Sequence, residues 1–161
     1  MKHSIYALLL VALCFSCKKD KNTDVPEPTT PVSGKLYGVQ FTSKVALERY
    51  TKFSMSNYTP EDLFAIYLSP DINKSCSSAD KDFWIRLTVP KKIGTFSSGD
   101  TYILINDPRD PTGQEGALFN DKNTIIEVIS IAPDKVSGRV DIKGLDAETE
   151  FKGYFEAAIC K

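Results

Sequence analysis

Histidine is nearly absent from this chain of 161 residues, because its single histidine is His3. If the first residues are removed, as argued below, the mature protein has none. This excludes a Ser-His-Asp triad, a Cys-His pair, histidine-ligated zinc and a histidine acid or base. Carboxylate-pair and lysine chemistry remain, but no spacing of Asp or Glu selects a pair. We therefore expect a protein that is not an enzyme, with no catalytic residue, no metal ligand and no cofactor.

An excess of either charge is also missing. The chain has 20 basic and 21 acidic residues, and loss of Lys2 would leave 19 bases. This balance gives no electrostatic footprint for nucleic acid, so we expect no nucleic-acid partner. The longest apolar run, residues 5–13, is shorter than the roughly 20 residues that span a bilayer. It has the length of the apolar region of a secretory signal.

The N-terminus carries the pattern of an export signal that ends in a cysteine. Lys2 is positive, residues 5–13 are apolar, and the small Ser16 directly precedes Cys17. This start resembles bacterial lipoprotein signals, although Cys14 stands where Leu is usual. The resemblance implies that residues 1–16 are a signal peptide and that Cys17 becomes a lipidated N-terminus. The bulky Leu13 disfavours Cys14 as the acceptor.

This signal predicts the location of the protein. Two acyl chains suffice for stable anchoring, so we expect a protein held in the cell envelope, on the outer membrane, by its N-terminal lipid. The periplasmic and surface faces both stay open. The alternatives are an ordinary cleaved signal with a free mature protein, and a chance apolar start of a cytosolic protein.

Two cysteines remain after Cys14 leaves with the signal and Cys17 takes the lipid. An exported compartment favours their oxidation, so we predict a disulfide between Cys76 and Cys160. Two buried free thiols are the alternative. The two cysteines do not form a C-x-x-C motif, which argues against a redox role.

A polar segment separates the lipid site from the rest of the chain. Residues 18–33 hold three prolines and few aliphatic side chains. Such a segment cannot bury enough apolar surface to offset its ordering entropy, and its prolines favour an extended spacer. We predict a flexible tether over residues 17–33 and a single domain over residues 34–161. An ordered arm along the domain is the alternative.

From Gly34 onward the apolar residues alternate with polar ones in short runs separated by turn residues. The pattern predicts eight or nine strands in an all-β, antiparallel β-sandwich or β-barrel. The clearest strand has alternate residues facing the core and alternate residues facing out: we place Phe83, Ile85, Leu87 and Val89 inside and Trp84, Arg86 and Thr88 outside. Gly138 and Gly153, within predicted strands, indicate bulges or close backbone approach.

Residues 59–69 give conflicting signals. Thr59 followed by Pro60 is typical of a helix start, but the apolar body that follows, residues 63–68, has only six residues, and helices so short are marginal. We favour a central strand that is apolar on both faces. A short helix stays the alternative.

The C-terminal half, roughly residues 60–160, resembles a family of small, uncharacterised lipoproteins common in Bacteroidota. The likeness rests on the loop around Cys76, on residues 89–90 and 94–96, on residues 136–140, and on residues 151–155 followed by Cys160. It implies the β fold, the disulfide and the anchoring. The family brings no established activity, so it implies no catalytic residue.

Two surfaces are candidates for ligands. The acids of the 106–123 loop could bind Ca²⁺, but their spacing does not match an EF-hand loop, and a solvated polar loop is the simpler interpretation. An exposed aromatic beside a planar cation could stack on a sugar or a partner. The side chains predicted for this ligand surface are Trp84, Arg86, Tyr102 and Tyr154, although a covering sheet or loop is the more common fate of such a tryptophan.

These features support three functions of different classes. The first is a non-catalytic binding or interaction module for a glycan or protein ligand, because long loops on a rigid sheet suit binding. The second is a structural or envelope-assembly lipoprotein with no small ligand. The third, a carboxylate-dependent enzyme, would need two close acids in a pocket, at least one with a raised pKa.

Overall fold

The protein folds into one β-sheet. The computed structural model describes residues 30–161 except residues 56, 111–114, 119–123 and 144–147, together with the backbone alone of residues 115–118. The predicted signal peptide, the lipid site Cys17 and most of the predicted tether lie outside the described residues. The described strands are β1 (Ser33–Leu36), β2 (Val39–Thr42), β3 (Val45–Arg49), β4 (Leu63–Ser69), β5 (Ile85–Pro90), β6 (Gly94–Phe96), β7 (Tyr102–Asn106), β8 (Glu115–Leu118), β9 (Ile125–Ile131), β10 (Lys135–Lys143) and β11 (Glu150–Ile159).

The sheet curls into a half-barrel. Its main path runs β6-β9-β10-β11-β3-β4-β5-β7-β8, with β1 and β2 branching from β11. Neighbouring strands are antiparallel except for β11 and β3, which are parallel. The predicted all-β class is therefore confirmed. No α-helix occurs in the described part of the chain, and none of its elements is a helix that could cross a membrane.

The conflict at residues 59–69 resolves into a short helical turn followed by a strand. Pro60–Asp62 forms one 3₁₀ turn, and the Asp62 carboxylate accepts hydrogen bonds from the backbone N–H and the hydroxyl of Thr59. All seven residues of β4 are buried. The predicted central strand, covered on both faces, is confirmed. The helix-start pattern at Thr59 does begin a helix, but that helix has only one turn.

The concave side of the half-barrel holds the main core. Its members are the inward-facing residues of nearly every strand, because alternate side chains of a strand point to the same face. The largest of them that are fully buried include Leu36, Ile66, Leu68, Ile85, Leu87, Ile103, Ile105, Ile126, Ile142 and Phe151.

One edge of β11 is shared by two different strands. β1 pairs with residues 150–152, and β3 pairs with residues 158–159. Between them the Tyr154 N–H donates to the Thr30 carbonyl, and the Tyr154 carbonyl accepts from the Val32 N–H. Gly153 has φ +142°, and a Cβ on it would lie 2.6 Å from the Pro31 oxygen. The close approach predicted at Gly153 is confirmed.

The domain begins before the predicted boundary at Gly34. Val32 is completely buried, and Ser33 opens β1. Residues 30–33 are therefore part of the fold, which corrects the C-terminal end of the predicted tether. The other predicted glycine feature is confirmed too, since the β9–β10 register shifts at Gly138, between Ser137 and Gly138.

The convex side of β3 and β4 carries a second, smaller core. Leu47, Ala65, Tyr67 and Phe83 pack together there, with Cys160 at the margin. Residues 70–83, named here the covering segment, lie over this face, and Cys76 within it forms a disulfide with Cys160, with the two Cα atoms 5.6 Å apart. The predicted disulfide is confirmed, and it ties the covering segment to the end of β11.

Candidate functional site

The predicted orientations of Trp84 and Phe83 are both wrong. The ring of Trp84 packs against the main core and lies 5.9 Å from the ring of Phe41, whereas Phe83 belongs to the convex-side core. The reason is local: β5 starts only at Ile85, so the strict alternation expected from residue 83 onward breaks between Trp84 and Ile85. Arg86 and Thr88 do point away from the main core, as predicted, but neither is exposed, since Arg86 is half-buried and Thr88 is buried.

The four side chains predicted as one ligand surface are not brought together. The ring of Tyr102 stacks at 4.6 Å on Phe53. Tyr154 lines a depression next to Pro31, where the N-terminal segment crosses β11. Arg86 faces Tyr67, and Trp84 belongs to the concave side. A shared stacking surface for a sugar is therefore not formed by these residues.

A broad depression lies instead on the outer face of β9, β10 and β11. It has a volume of about 590 Å³, and we name it the outer groove. Ile125, Val140 and Gly153 form the apolar part of its lining. The side chain of Ile125 is 45% exposed. This volume falls in the usual range for ligand sites, about 300–1,000 Å³.

Charged side chains of both signs border the outer groove. Arg139 forms an ion pair with Glu127, and Asp141 stands opposite Lys152 in the β10–β11 register. Asp141 and Lys152 also line a second depression of about 290 Å³ that reaches Lys143. From Arg139 to Lys143 the two depressions follow β10 for about 14 Å at a rise of about 3.4 Å per residue. The site is therefore elongated, with balanced charge.

A second cluster lies on the convex face under the covering segment. Two guanidinium groups flank one aromatic ring: the Cζ atoms of Arg49 and Arg86 lie 5.1 Å and 6.0 Å from the ring centroid of Tyr67. The Tyr67 hydroxyl donates to the Asp80 carboxylate at 3.0 Å. We name Arg49, Tyr67 and Arg86 the arginine–tyrosine cluster. Burial raises the pKa of Tyr67, and a hydrogen bond from Arg86 partly offsets this rise.

Buried polar atoms without a partner gather beside this cluster. Arg86 Nε, Thr88 Oγ1 and Asn106 Oδ1 have no hydrogen-bond partner among the described residues. Arg86 and Asn106 both line a small cavity of about 10 Å³, which is roughly the size that holds one water molecule. Each such atom costs about 1–3 kcal/mol of stability when it stays unpaired. Packing alone therefore does not account for the buried polar atoms of this face.

The acids of the 106–123 loop, which is interpreted above as a solvated polar loop, are only partly described. Asp107 accepts three hydrogen bonds from the Arg109 side chain, and these hold the pKa of Asp107 below its usual range. The side chain of Glu115 and the whole of Asp121 lie outside the described residues. Within the described part of the chain, no three metal-ligating side chains come together.

One acid, Glu48, is buried in the sheet. Glu48 is 5% exposed and stands between Ile66 and Ile159 in the sheet register. Burial raises its pKa, and the charge of Lys91 partly offsets that rise.

Glu48 gives a testable pH dependence. Because its pKa is raised in the folded state, the folded protein holds a proton that the unfolded chain releases, so stability falls as pH rises above about 4.5, the ordinary glutamate value. We expect Glu48→Gln to raise the free energy of unfolding by about 1 kcal/mol at pH 7 and to have little effect at pH 4. Urea unfolding at both pH values measures this. The exposed Glu61→Gln is the control, and an equal response of both variants would contradict the prediction.

Comparison of the chain with protein-family models, with curated proteins and with solved structures finds no match. The resemblance to a lipoprotein family therefore stays a prediction. The groove residues Ile125, Arg139 and Asp141 were not among the predicted site residues. Their signal was present as exposed, alternating positions of β9 and β10, but the depression they border depends on the β11 register and on the entry of Thr30, which no local pattern reveals.

Proposed function

We propose that the protein is a lipid-anchored, non-catalytic binding module of the cell envelope, whose ligand is an extended segment of a partner protein. The observation that carries this proposal is the outer groove. It is elongated, apolar along part of its lining, and bordered by charges of both signs. An extended polypeptide has the same combination of apolar side chains, charges and backbone polar groups.

The lining favours a protein over a glycan. Sugar sites commonly use an aromatic ring as a stacking platform, as expected for Trp84. None of the residues described as lining the outer groove is aromatic. A peptide can instead place an apolar side chain on Ile125 and satisfy Arg139 and Asp141 with polar groups.

The alternative is a structural or envelope-assembly lipoprotein without a small ligand. That function needs no concave site, and a flat, uniformly polar face would favour it. The exposed Ile125 within a charged face supports binding instead, because burial of an apolar side chain at the centre of a polar rim is the usual anatomy of a protein interface.

The anchor rests on the sequence and has its own test. The intact mass of the protein from its native membrane should show cleavage before Cys17 plus acyl chains, and Cys17→Ser should abolish the added mass. An unlipidated mass would remove the anchor from the proposal but would leave the groove in place.

The proposed binding to the outer groove is tested with two exposed isoleucines, one inside the groove and one outside it. Full-length protein with a photo-crosslinking residue at position 125 or 72 is expressed in cells, since Ile125 lines the outer groove and Ile72 lies in the covering segment at 71% exposure. We expect one specific partner at position 125 and none at position 72. Binding of the purified partner should weaken about tenfold in Ile125→Asp, because a charge replaces the apolar contact, and should not change in Ile72→Asp. Equal behaviour of both positions would contradict the proposed site, and a glycan that binds at Ile125 would overturn the ligand class.

A further inference from the structure

The covering segment is held in place by few contacts. From residue 71 to residue 82, none of its residues is buried. Its attachments to the sheet include the disulfide at Cys76, hydrogen bonds from Asn106 to its backbone, a hydrogen bond from the Asp71 N–H to Ser69 Oγ, the buried ring of Phe83, and the side chain of Asp80. A segment with so little buried surface opens locally at low free-energy cost.

Asp80 reaches from this segment into the arginine–tyrosine cluster. Its Oδ1 lies 2.9 Å from Arg49 Nη1, and its Oδ2 accepts a hydrogen bond from the Tyr67 hydroxyl. The N–H bonds of Arg49 Nη1 are not aligned for a hydrogen bond to this oxygen. The Asp80 side chain is also 51% exposed. The Asp80 side chain is therefore kept in the cluster by an ion pair with Arg49 that is poorly aligned and exposed to solvent.

The single negative charge of Asp80 does not balance the two positive charges of Arg49 and Arg86. Arg86 has no ion pair among the described residues, and its Nε atom is buried without a partner. Two guanidinium groups thus lie beside the Tyr67 ring, and only that of Arg49 is paired with the Asp80 carboxylate. Arginine presents a planar fork of donors that matches a carboxylate in a bidentate manner, so the cluster offers more donors than Asp80 uses.

We propose that the arginine–tyrosine cluster is a binding site for a carboxylate, which Asp80 occupies in this structure and which a ligand carboxylate takes when the covering segment opens. The group already seated between Arg49 and Tyr67 is a carboxylate, and this identifies the ligand chemistry. The carboxylate belongs either to a small dicarboxylate or to an acidic segment of a partner. This site is separate from the outer groove.

The test removes the Asp80 carboxylate from the cluster and uses removal of the Asp82 carboxylate as the control. Asp82 lies in the same 3₁₀ turn as Asp80 but faces Lys74 at 3.8 Å. Binding of succinate and of a hexa-aspartate peptide to the purified full-length protein is measured by titration calorimetry. We expect Asp80→Ala to bind one of the two probes about fivefold or more tightly than wild type, because the competing state is lost, and Asp82→Ala to bind as wild type does.

Further variants keep the result interpretable. Asp80→Asn keeps a group that accepts from Tyr67 and should give a smaller gain than Asp80→Ala. Addition of Arg49→Met to Asp80→Ala should weaken binding about tenfold, and Ile125→Asp should leave it unchanged. Succinate as the tighter probe identifies a small ligand, and the peptide identifies an acidic partner. No gain in either Asp80 variant, no loss with Arg49→Met, or tighter binding of inorganic phosphate than of both probes overturns the proposal.

Discussion

Replacement of Cys76 and Cys160 by serine together is expected to lower the free energy of unfolding by about 4–5 kcal/mol. The disulfide joins residues separated by 84 positions, and closure of so long a loop removes much entropy from the unfolded chain. For a domain of this size the change corresponds to a fall of the melting temperature of about 15 °C. Urea and thermal unfolding of the full-length protein measure both quantities.

The reductant supplies the control for this experiment. Reduced wild type should unfold like the double serine variant, and the variant itself should not respond to reductant. A loss below about 1 kcal/mol would mean that the unfolded chain is already compact near these residues or that the bond strains the folded state. Either outcome would contradict the view that the disulfide is the main attachment by which the covering segment stabilises the folded state.

Gly34→Ala is expected to destabilise the protein by about 3 kcal/mol or to prevent folding. A Cβ at position 34 would lie 2.0 Å from the backbone oxygen of Glu150 and 2.6 Å from the Cα of Phe151. Backbone atoms cannot turn aside as a flexible side chain does, so β1 has to separate from β11, and overpacking of this kind costs about 1–3 kcal/mol or more. The loss of β1 also uncovers Val32 and Leu36, which are fully buried. Thermal unfolding monitored by circular dichroism measures the change.

Gly99→Ala is the matched control. Gly99 has φ +99°, but no atom lies within 4 Å of a Cβ placed there. The variant therefore carries backbone strain without a clash, and about 1 kcal/mol is expected. Equal losses at the two glycines would show that the close pairing of β1 with β11 does not control the stability of this edge.

The alternation of apolar residues predicted the longer strands but not all of them, since eleven strands are described where eight or nine were predicted. β4, β5, β10 and β11 all lie where the period of two placed them, because each has a face that must be buried. The period failed at Trp84, where the chain leaves the 3₁₀ turn Asp80–Asp82 and enters β5 only at Ile85. The sequence pattern itself does not change at this point, so the sequence alone does not reveal the change of orientation that the preceding turn causes.

The candidate sites were less accessible to sequence reasoning. Arg86 was predicted to point away from the main core, and it does, although it is half-buried rather than exposed. Its neighbour Arg49 lies in a stretch whose pattern was ambiguous. The two meet only because β4 stands between β3 and β5 and presents Tyr67 to both. The parallel pairing of β3 with β11 joins residues more than a hundred positions apart, and no short-range signal specifies such a contact.

The docking of Thr30 and Val32 on Tyr154 has a mechanical consequence. If Cys17 is anchored in a membrane and a partner pulls on the domain, the load enters the fold at Thr30. It falls first on the two hydrogen bonds to Tyr154 and on the buried Val32 side chain. These contacts lie beside the outer groove, which Thr30 itself lines. Tension on the anchor would therefore act on the wall of the outer groove before it reached the rest of the sheet.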